Sequence, residues 1–386
     1  SSTTSIHRVI HALLLLKLNV FHVLHDEPPP CDPHSSSQHA YINLRTFPSQ
    51  LATALATGRG SIALEWLHLK LPKLHLYDRS VQTPETVLLL EDLTTAGFKM
   101  VTPKHQGLNL AHCRLVLRQL ASLHASSAML VVTDPTSMEL YKEPLVLETE
   151  VDRQHWGGVF PGLARQLAAE VLTWPEFGER SKEKLHSHTH VAISKEMHPK
   201  PLIFPRTMSR RFADNLMENL ERVLKRDDDG FNVLNHGDLW VNNLMFRYDA
   251  ATGDVREVRF LDFQNVQFTS PAIDLQYFLV VSPDGDVRAH HCDRLLEEYQ
   301  EELSSLLTAL GYPRRIPSLL DLKEEIERKA FHGLFAAVTD LAILLSEDGF
   351  EYDSTLQGGG NSVFSSKKYR DVMYKLLPIF EEKGVI

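Results

Sequence analysis

The chain has 386 residues and a formal net charge of −10, which is long enough for two domains or one bilobal unit with a substantial core. The acidic balance argues against nucleic acid and anionic membranes as partners, since both need clustered Lys and Arg. Three widely spaced cysteines (Cys31, Cys113 and Cys292) favour neither a disulfide framework nor a zinc ribbon. We therefore expect a reducing, cytoplasmic compartment.

The N-terminal part of the chain shows no steady hydrophobic period. His25 to Gln38 is rich in Pro and Ser and is typical of a linker or disordered loop. The apolar run Ala12 to Leu16 is short and is interrupted by Lys17, so a signal peptide is not favoured. No run reaches the ~18 apolar residues that a membrane span needs.

Further along, hydrophobic periodicity predicts one buried strand followed by several helices. The strand covers Thr86 to Leu90 and ends at Glu91 and Asp92. The predicted helices are Leu110 to Leu130, Met208 to Leu224, Arg288 to Leu310, Lys323 to Ser346 and Ser365 to Leu377.

The most informative stretch is VLNHGDLWVNNLMFRYDAATGDVREVRFLDF, which starts at Val233. Two strands joined by a turn containing Thr-Gly-Asp are predicted, and they bring Asp238, Asn243 and Asp262 to one edge. Phosphoryl transfer needs a group that orients the attacking hydroxyl and oxygen ligands that hold Mg²⁺ against nucleotide phosphates. We predict that Asp238 is catalytic and that Asn243 and Asp262 bind the metal. The alternative for each is an ordinary cap or turn residue.

These residues fill the pattern H-G-D-L-x-x-x-N, and the chain resembles the aminoglycoside phosphotransferase and choline kinase superfamily. The segments HGDLWVNN, LDFQ and PAIDL, with VLLLEDL and LASLHA upstream, most resemble its ecdysteroid kinase-like (CHK kinase-like) branch. The resemblance runs from about Leu71 to the C-terminus. It implies an α+β, protein kinase-like bilobal fold with a truncated or irregular N-lobe and a mainly helical C-lobe.

The resemblance also implies a division of the chain and roles for further residues. Residues 1–60 form a divergent or disordered segment, 61–93 a remnant N-lobe and hinge, and 94–386 a C-lobe with a catalytic hairpin at 231–275. Backbone groups near Glu91 and Leu93 contact adenine, His236 fixes its loop, and Asp274 braces the loop backbone. ATP and Mg²⁺ are the expected cofactors, and the acceptor is a small-molecule alcohol, for which a steroid-like compound is one candidate.

Two alternatives remain open at this point. The phosphate-covering glycine loop and the Lys–Glu pair of such kinases are not found upstream, and Glu65, Lys70 and Lys73 are weak substitutes for the pair. In the first alternative to an active kinase, the chain is a catalytically impaired pseudokinase or binding module that keeps the C-lobe pocket. A zinc-dependent hydrolase that uses His186, His188 and His190 is a more remote alternative. The oligomeric state is not indicated.

Overall fold

The computed structural model describes residues 74–78, 87–90, 92–142, 144, 147, 149–174, 212–346 and 363–386. Several sequence predictions lie outside these residues. They are the N-terminal segment 1–60, the candidates Glu65, Lys70 and Lys73, the hinge residue Glu91, and the histidines at 186, 188 and 190.

The described part of the chain combines small antiparallel sheets with many helices, which confirms the α+β prediction. The strands are β1 (Leu74–Asp78), β2 (Val87–Leu90), β3 (Val233–Asn235), β4 (Leu244–Tyr248), β5 (Val255–Phe260) and β6 (Gln267–Thr269). They pair as β1 with β2, β3 with β6, and β4 with β5. Of these, β2, β4 and β5 correspond to the predicted buried strand and the predicted hairpin.

The helices account for most of the core. They are α1 (Leu110–Thr133), α2 (Glu150–Val171), α3 (Leu216–Leu224), α4 (Ala272–Val281), α5 (Gly285–His290), α6 (Cys292–Ala309), α7 (Leu319–Arg328), α8 (Ala330–Val338), α9 (Asp340–Leu345) and α10 (Lys367–Glu382). Helix α1 is apolar and long enough to cross a membrane by length and composition, but 67% of its most apolar window is buried inside the protein. It packs along α6 as a core helix.

Two long helices that the sequence predicts as continuous are each interrupted in the structure. Near one break in each, a side chain donates to carbonyls at the end of another helix. The helix predicted from Arg288 to Leu310 is divided at His291 into α5 and α6. Arg288 turns away from α6 and donates to the carbonyls of Val280 and Pro283, at and just beyond the end of α4. These carbonyls have no partner within their own helix, so the guanidinium satisfies them.

The helix predicted from Lys323 to Ser346 is divided twice, at Lys329 and at Thr339. The Lys329 side chain is buried, and its ammonium donates to the carbonyls of Val223 and Lys225 at the end of α3. The second break places Asp340 at the first turn of α9. Hydrophobic periodicity continues through both breaks, so it does not reveal them.

Two strand pairs interleave around the predicted catalytic segment. Strand β4 pairs with β5 with Leu244 opposite Phe260, and β3 pairs with β6 with Val233 opposite Thr269. The loop from β3 to β4 and the loop from β5 to β6 therefore lie at the same end of the two pairs. Lys99 exchanges both backbone hydrogen bonds with Phe246 of β4, which attaches the segment after the predicted hinge to this region.

Candidate active site

Backbone and side-chain hydrogen bonds join the two loops directly. The Nε2 atom of His236 donates to the carbonyl of Leu261 at 2.9 Å. The backbone N–H of Leu261 donates to the carbonyl of Asn243, also at 2.9 Å. Since Asp238 lies between His236 and Asn243, and Asp262 follows Leu261, these contacts bring the predicted catalytic and metal-binding residues to one place.

Gly237 allows the two loops to approach this closely. Its φ is +79°, in the left-handed region that residues other than glycine rarely adopt. A Cβ atom added there would lie 1.9 Å from the carbonyl oxygen of Asn265, well inside van der Waals contact. The glycine of the His-Gly-Asp turn is thus required by the position of the opposite loop.

The variant Gly237→Ala should be strongly destabilised. We expect it to lose about 3 kcal/mol or more of unfolding free energy, because the left-handed backbone costs roughly 1–2 kcal/mol and the overlap costs about 1–3 kcal/mol. Gly253→Ala is a matched control, since Gly253 has a φ of +74° with open space around it, and it should lose only about 1–2 kcal/mol. Urea denaturation measures both. Equal losses of unfolding free energy in the two variants would show that the loops carrying Gly237 and Asn265 can move apart at no energetic cost.

Asp238 is held at both carboxylate oxygens. The Tyr277 hydroxyl donates to Oδ1 at 2.8 Å, and the Asn243 side-chain amide donates to Oδ2 at 3.0 Å. Burial is the largest of the effects that raise the pKa of Asp238 to about 7, and the charge of Asp340 is next. The charge of Asp262 acts in the same direction, while the two hydrogen bonds oppose it. Asp238 thus combines a fixed orientation with the raised pKa of a general base.

The Asn243 side chain is oriented by its contacts with Asp238. Its Nδ2 atom donates to both the backbone carbonyl and the carboxylate of Asp238. Because both partners are acceptors, the NH₂ group must face Asp238, and the Oδ1 atom therefore points the other way. This leaves the neutral Oδ1 atom of Asn243 directed away from Asp238, as the predicted metal-binding role requires.

Asp262 stands at the end of β5 in a left-handed conformation, with φ 60° and ψ 71°. It is the one non-glycine residue with positive φ in the part of the chain that the structure describes. Its Oδ2 atom accepts a bond from Gln264 at 3.3 Å. Such backbone conformations cluster at functional sites, where the surrounding structure holds them.

The donor set of Asn243 and Asp262 suits Mg²⁺, which takes oxygen ligands and is usually bound by one or two carboxylates plus substrate phosphates. Within the described ranges, no group of three or more His, Cys, Asp or Glu side chains is arranged to hold a metal.

A buried network lies behind the loop. The carboxylate of Asp274 accepts the backbone N–H groups of His236 at 2.6 Å and of Gly237 at 2.8 Å, and it contacts the His124 ring at 3.2 Å. His124 in turn contacts the Tyr299 hydroxyl at 2.6 Å. Burial acts to raise the pKa of Asp274, but the hydrogen bond and charge of His124 and the other partners outweigh it, so the pKa is lowered. Asp274 therefore lies where the predicted bracing role requires.

His236 is buried, and burial lowers its pKa to about 4. The ring is therefore neutral at physiological pH. Its Nε2–H donates to Leu261 while Nδ1 accepts the backbone N–H of Asp238 at 3.3 Å. With both ring nitrogens used in this way, the side chain fixes the loop and has no proton to exchange with a substrate.

Of the two predicted adenine contacts, only Leu93 is described. The Leu93 side chain is buried, and its carbonyl accepts the Phe98 N–H at 2.9 Å, which closes a turn after the predicted hinge. Lys99 then joins this turn to β4. An adenine contact at Leu93 stays a prediction.

Three residues around the site were not predicted from the sequence: Tyr277 and His124 contact predicted residues, and Asp340 is a hydrogen-bond partner of Tyr277. Tyr277 lies three residues after Asp274 in α4, a spacing that places two helical side chains on the same side, and this could have been noticed. His124 lies in the segment LASLHA. Asp340 is a lone carboxylate in an apolar stretch, and only its burial in the structure reveals its proximity to Asp238.

Comparison with known proteins identifies the family of the chain. Residues 67–312 match the model of the ecdysteroid kinase-like family, which is more than half of the chain. No curated protein matches.

Among solved structures, the chain is similar to choline kinase from Cryptosporidium parvum Iowa II, with 12% identity, a TM-score of 0.40, and coverage of 88% of this chain and 81% of that one. It is also similar to Plasmodium vivax ethanolamine kinase, with 14% identity, a TM-score of 0.35, and coverage of 85% and 72%. Both TM-scores are below 0.5, so the assignment depends on the family match. The chain belongs to the ecdysteroid kinase-like family.

Proposed function

We propose that this protein is an ATP- and Mg²⁺-dependent phosphotransferase that moves the γ-phosphoryl group to the hydroxyl of a small molecule. Membership of a kinase family gives the general class. The observation that carries the proposal is the placement of Asp238, which is held by Tyr277 and Asn243 beside the loop that bears Asp262.

In the proposed reaction, Asp238 accepts the proton of the alcohol. The alcohol oxygen forms a bond to the γ-phosphorus as the bond from that phosphorus to the ADP oxygen breaks. Asn243 and Asp262 would hold Mg²⁺, which supplies positive charge against the phosphate oxygens when it is bound. The protein's own part is to orient the base and to keep its carboxylate in a half-buried place where a pKa near the working pH is maintained.

We further propose an apolar, steroid-like alcohol as the acceptor. An aromatic row leads away from Asp238: Tyr277 is followed by His332 at 6.2 Å between ring centroids, and His332 by Phe335 at 6.1 Å. Phe335 contacts Phe160 at 4.8 Å, and Phe160 stacks on the half-buried Trp156 at 4.8 Å. Tyr277, His332 and Phe160 are buried, whereas Phe335 and Trp156 are half-buried, so a flat apolar ring system would meet the row at Phe335 and Trp156.

Other large aromatic side chains are placed differently. Phe278 and Trp174 are 0% and 2% exposed, so both belong to the core. Trp240 is half-buried and packs against the core. The half-buried Phe335 and Trp156 therefore support the proposed acceptor class better than Phe278 and Trp174 do.

The first test is binding of nucleotide with metal. ATP with Mg²⁺ should raise the melting temperature of the full chain, because a ligand at 100 times its Kd adds about 2.7 kcal/mol. Asp262→Asn should lose most of this shift, because it removes the charged metal ligand. Asn tolerates the left-handed backbone at this position, so the unliganded protein should still fold.

Asp254→Asn is the matched control, because Asp254 is an exposed carboxylate in the turn between β4 and β5. It should keep the full shift. A metal-dependent shift in the wild-type protein with no ADP formation from any alcohol would favour the pseudokinase alternative. A wild-type protein that shows no shift with ATP and Mg²⁺ would contradict the proposal.

A further inference from the structure

The hydroxyl of Tyr277 lies between two carboxylates. It donates to Oδ1 of Asp238 at 2.8 Å, and it also forms a hydrogen bond with Asp340. Asp340 comes from α9, whereas Tyr277 belongs to α4. The catalytic loop is therefore connected through one phenol to a helix about 100 residues further along the chain.

A phenol carries a single proton, so it donates to one carboxylate at a time. The other carboxylate then faces the lone pairs of the phenol oxygen. The hydroxyl of Thr339 lies 2.9 Å from Oδ2 of Asp340 and 2.9 Å from the carbonyl of Phe335, so its single proton is available to either acceptor. When Asp340 is ionised, its carboxylate competes with Asp238 for the Tyr277 proton.

The Tyr277 side chain itself has little freedom. The residue is 4% exposed, and its ring lies beside that of His332. Asp238 is held from the opposite side by Asn243 at Oδ2. With one bond at each oxygen, the Asp238 carboxylate cannot rotate without breaking a hydrogen bond.

We propose that Tyr277 is a positioning residue for Asp238, and that Asp340 acts on the reaction through Tyr277 by competing with Asp238 for its hydroxyl proton. The inference rests on the proposed function, because it assigns the direction in which Asp238 meets the acceptor hydroxyl. Such positioning matters because a misplaced base loses rate even when substrate binding is unchanged.

The test is a steady-state comparison of variants in the full chain. Tyr277→Phe removes one O–H group and keeps the ring. We expect kcat to fall by roughly 10- to 100-fold, while KM for ATP and for the acceptor stays within about twofold. Tyr369→Phe is the matched control, because its hydroxyl donates to the Ala337 carbonyl at 3.0 Å within the core. It should lose stability but keep kcat.

The role of Asp340 is tested by a double-mutant cycle. Asp340→Ala should raise kcat, because it removes the acceptor that competes with Asp238 for the Tyr277 proton. If Asp340 acts only through Tyr277, adding Asp340→Ala to Tyr277→Phe should not change kcat further. Asp340→Asn should act in the same direction as Asp340→Ala, because its amide can donate to the phenol oxygen and direct the Tyr277 proton to Asp238.

Each contrary result has a distinct meaning. An unchanged kcat in Tyr277→Phe overturns the positioning role and leaves the proposed phosphotransferase intact. An increase in acceptor KM at constant kcat overturns it in favour of substrate binding. An Asp340→Ala effect on kcat that is equally large with and without the Tyr277 hydroxyl overturns the route through Tyr277, and so does a fall in kcat in Asp340→Ala alone. Absence of turnover in the wild-type protein overturns both the inference and the proposed function.

Discussion

Replacing Asp238 with Asn is expected to lower kcat by about 10²- to 10⁴-fold, the range that general base catalysis contributes. The fold should survive, because the new amide can satisfy both existing partners. Its oxygen can accept from the Asn243 amide, and its NH₂ group can donate to the Tyr277 oxygen. The substitution also removes a half-buried charge whose pKa is already raised to about 7 by burial.

The measurement is initial ADP release with a saturating alcohol acceptor, together with thermal unfolding of the same sample. Asp254→Asn in the β4–β5 turn serves as the control for a carboxylate outside the site, and it should match the wild-type kcat. The unfolding temperature of Asp238→Asn should equal or exceed that of the wild-type protein, since active-site charges often reduce stability. Wild-type turnover in Asp238→Asn would mean that another group accepts the proton.

Replacing Asp274 with Ala should damage stability and activity together. The side chain is 0% exposed and accepts the backbone N–H groups of His236 and Gly237. Its removal leaves these donors and the His124 ring buried without the carboxylate, and breaking a buried charged network of this kind costs about 3–5 kcal/mol. The loop that carries Asp238 would no longer be fixed, so kcat should fall as well.

A matched control for this substitution is Asp284→Ala. Asp284 is also a carboxylate that accepts a backbone N–H, from Val287 at 2.8 Å, but it caps helix α5. Loss of such a cap costs about 1 kcal/mol and should leave kcat unchanged. Denaturant unfolding and ADP release would be measured for both variants. A loss of only about 1 kcal/mol in Asp274→Ala, the size of a lost helix cap, would show that the loop is supported by other contacts.

Much of the site could be predicted from the sequence because its parts are close along the chain. Asp238 and Asn243 both lie just before β4, and the pairing of β4 with β5 returns the chain to Asp262. Turn residues and alternating strand patterns indicate such a hairpin directly. The structure then places Asp238 and Asn243 in contact and Asp262 beside them.

The features that the sequence did not reveal depend on distant contacts. At one helix break the ammonium of Lys329 reaches the end of α3, and at the other the carboxylate of Asp340 comes near Asp238. Local helix propensity does not distinguish a continuous helix from one with these breaks. Strand β6 is three residues long and becomes a strand by pairing with β3. Hydrophobic periodicity along the sequence reports neither distant side-chain contacts nor strand pairing.

The left-handed backbone at Asp262 has a thermodynamic consequence for the whole protein. A residue with a Cβ atom in that conformation costs roughly 1–3 kcal/mol, which is a noticeable fraction of the 5–15 kcal/mol margin typical of folded domains. Glycine would relax the backbone there, but glycine carries no oxygen ligand. The protein therefore sacrifices part of its resistance to unfolding to present a carboxylate at the point where two loops meet.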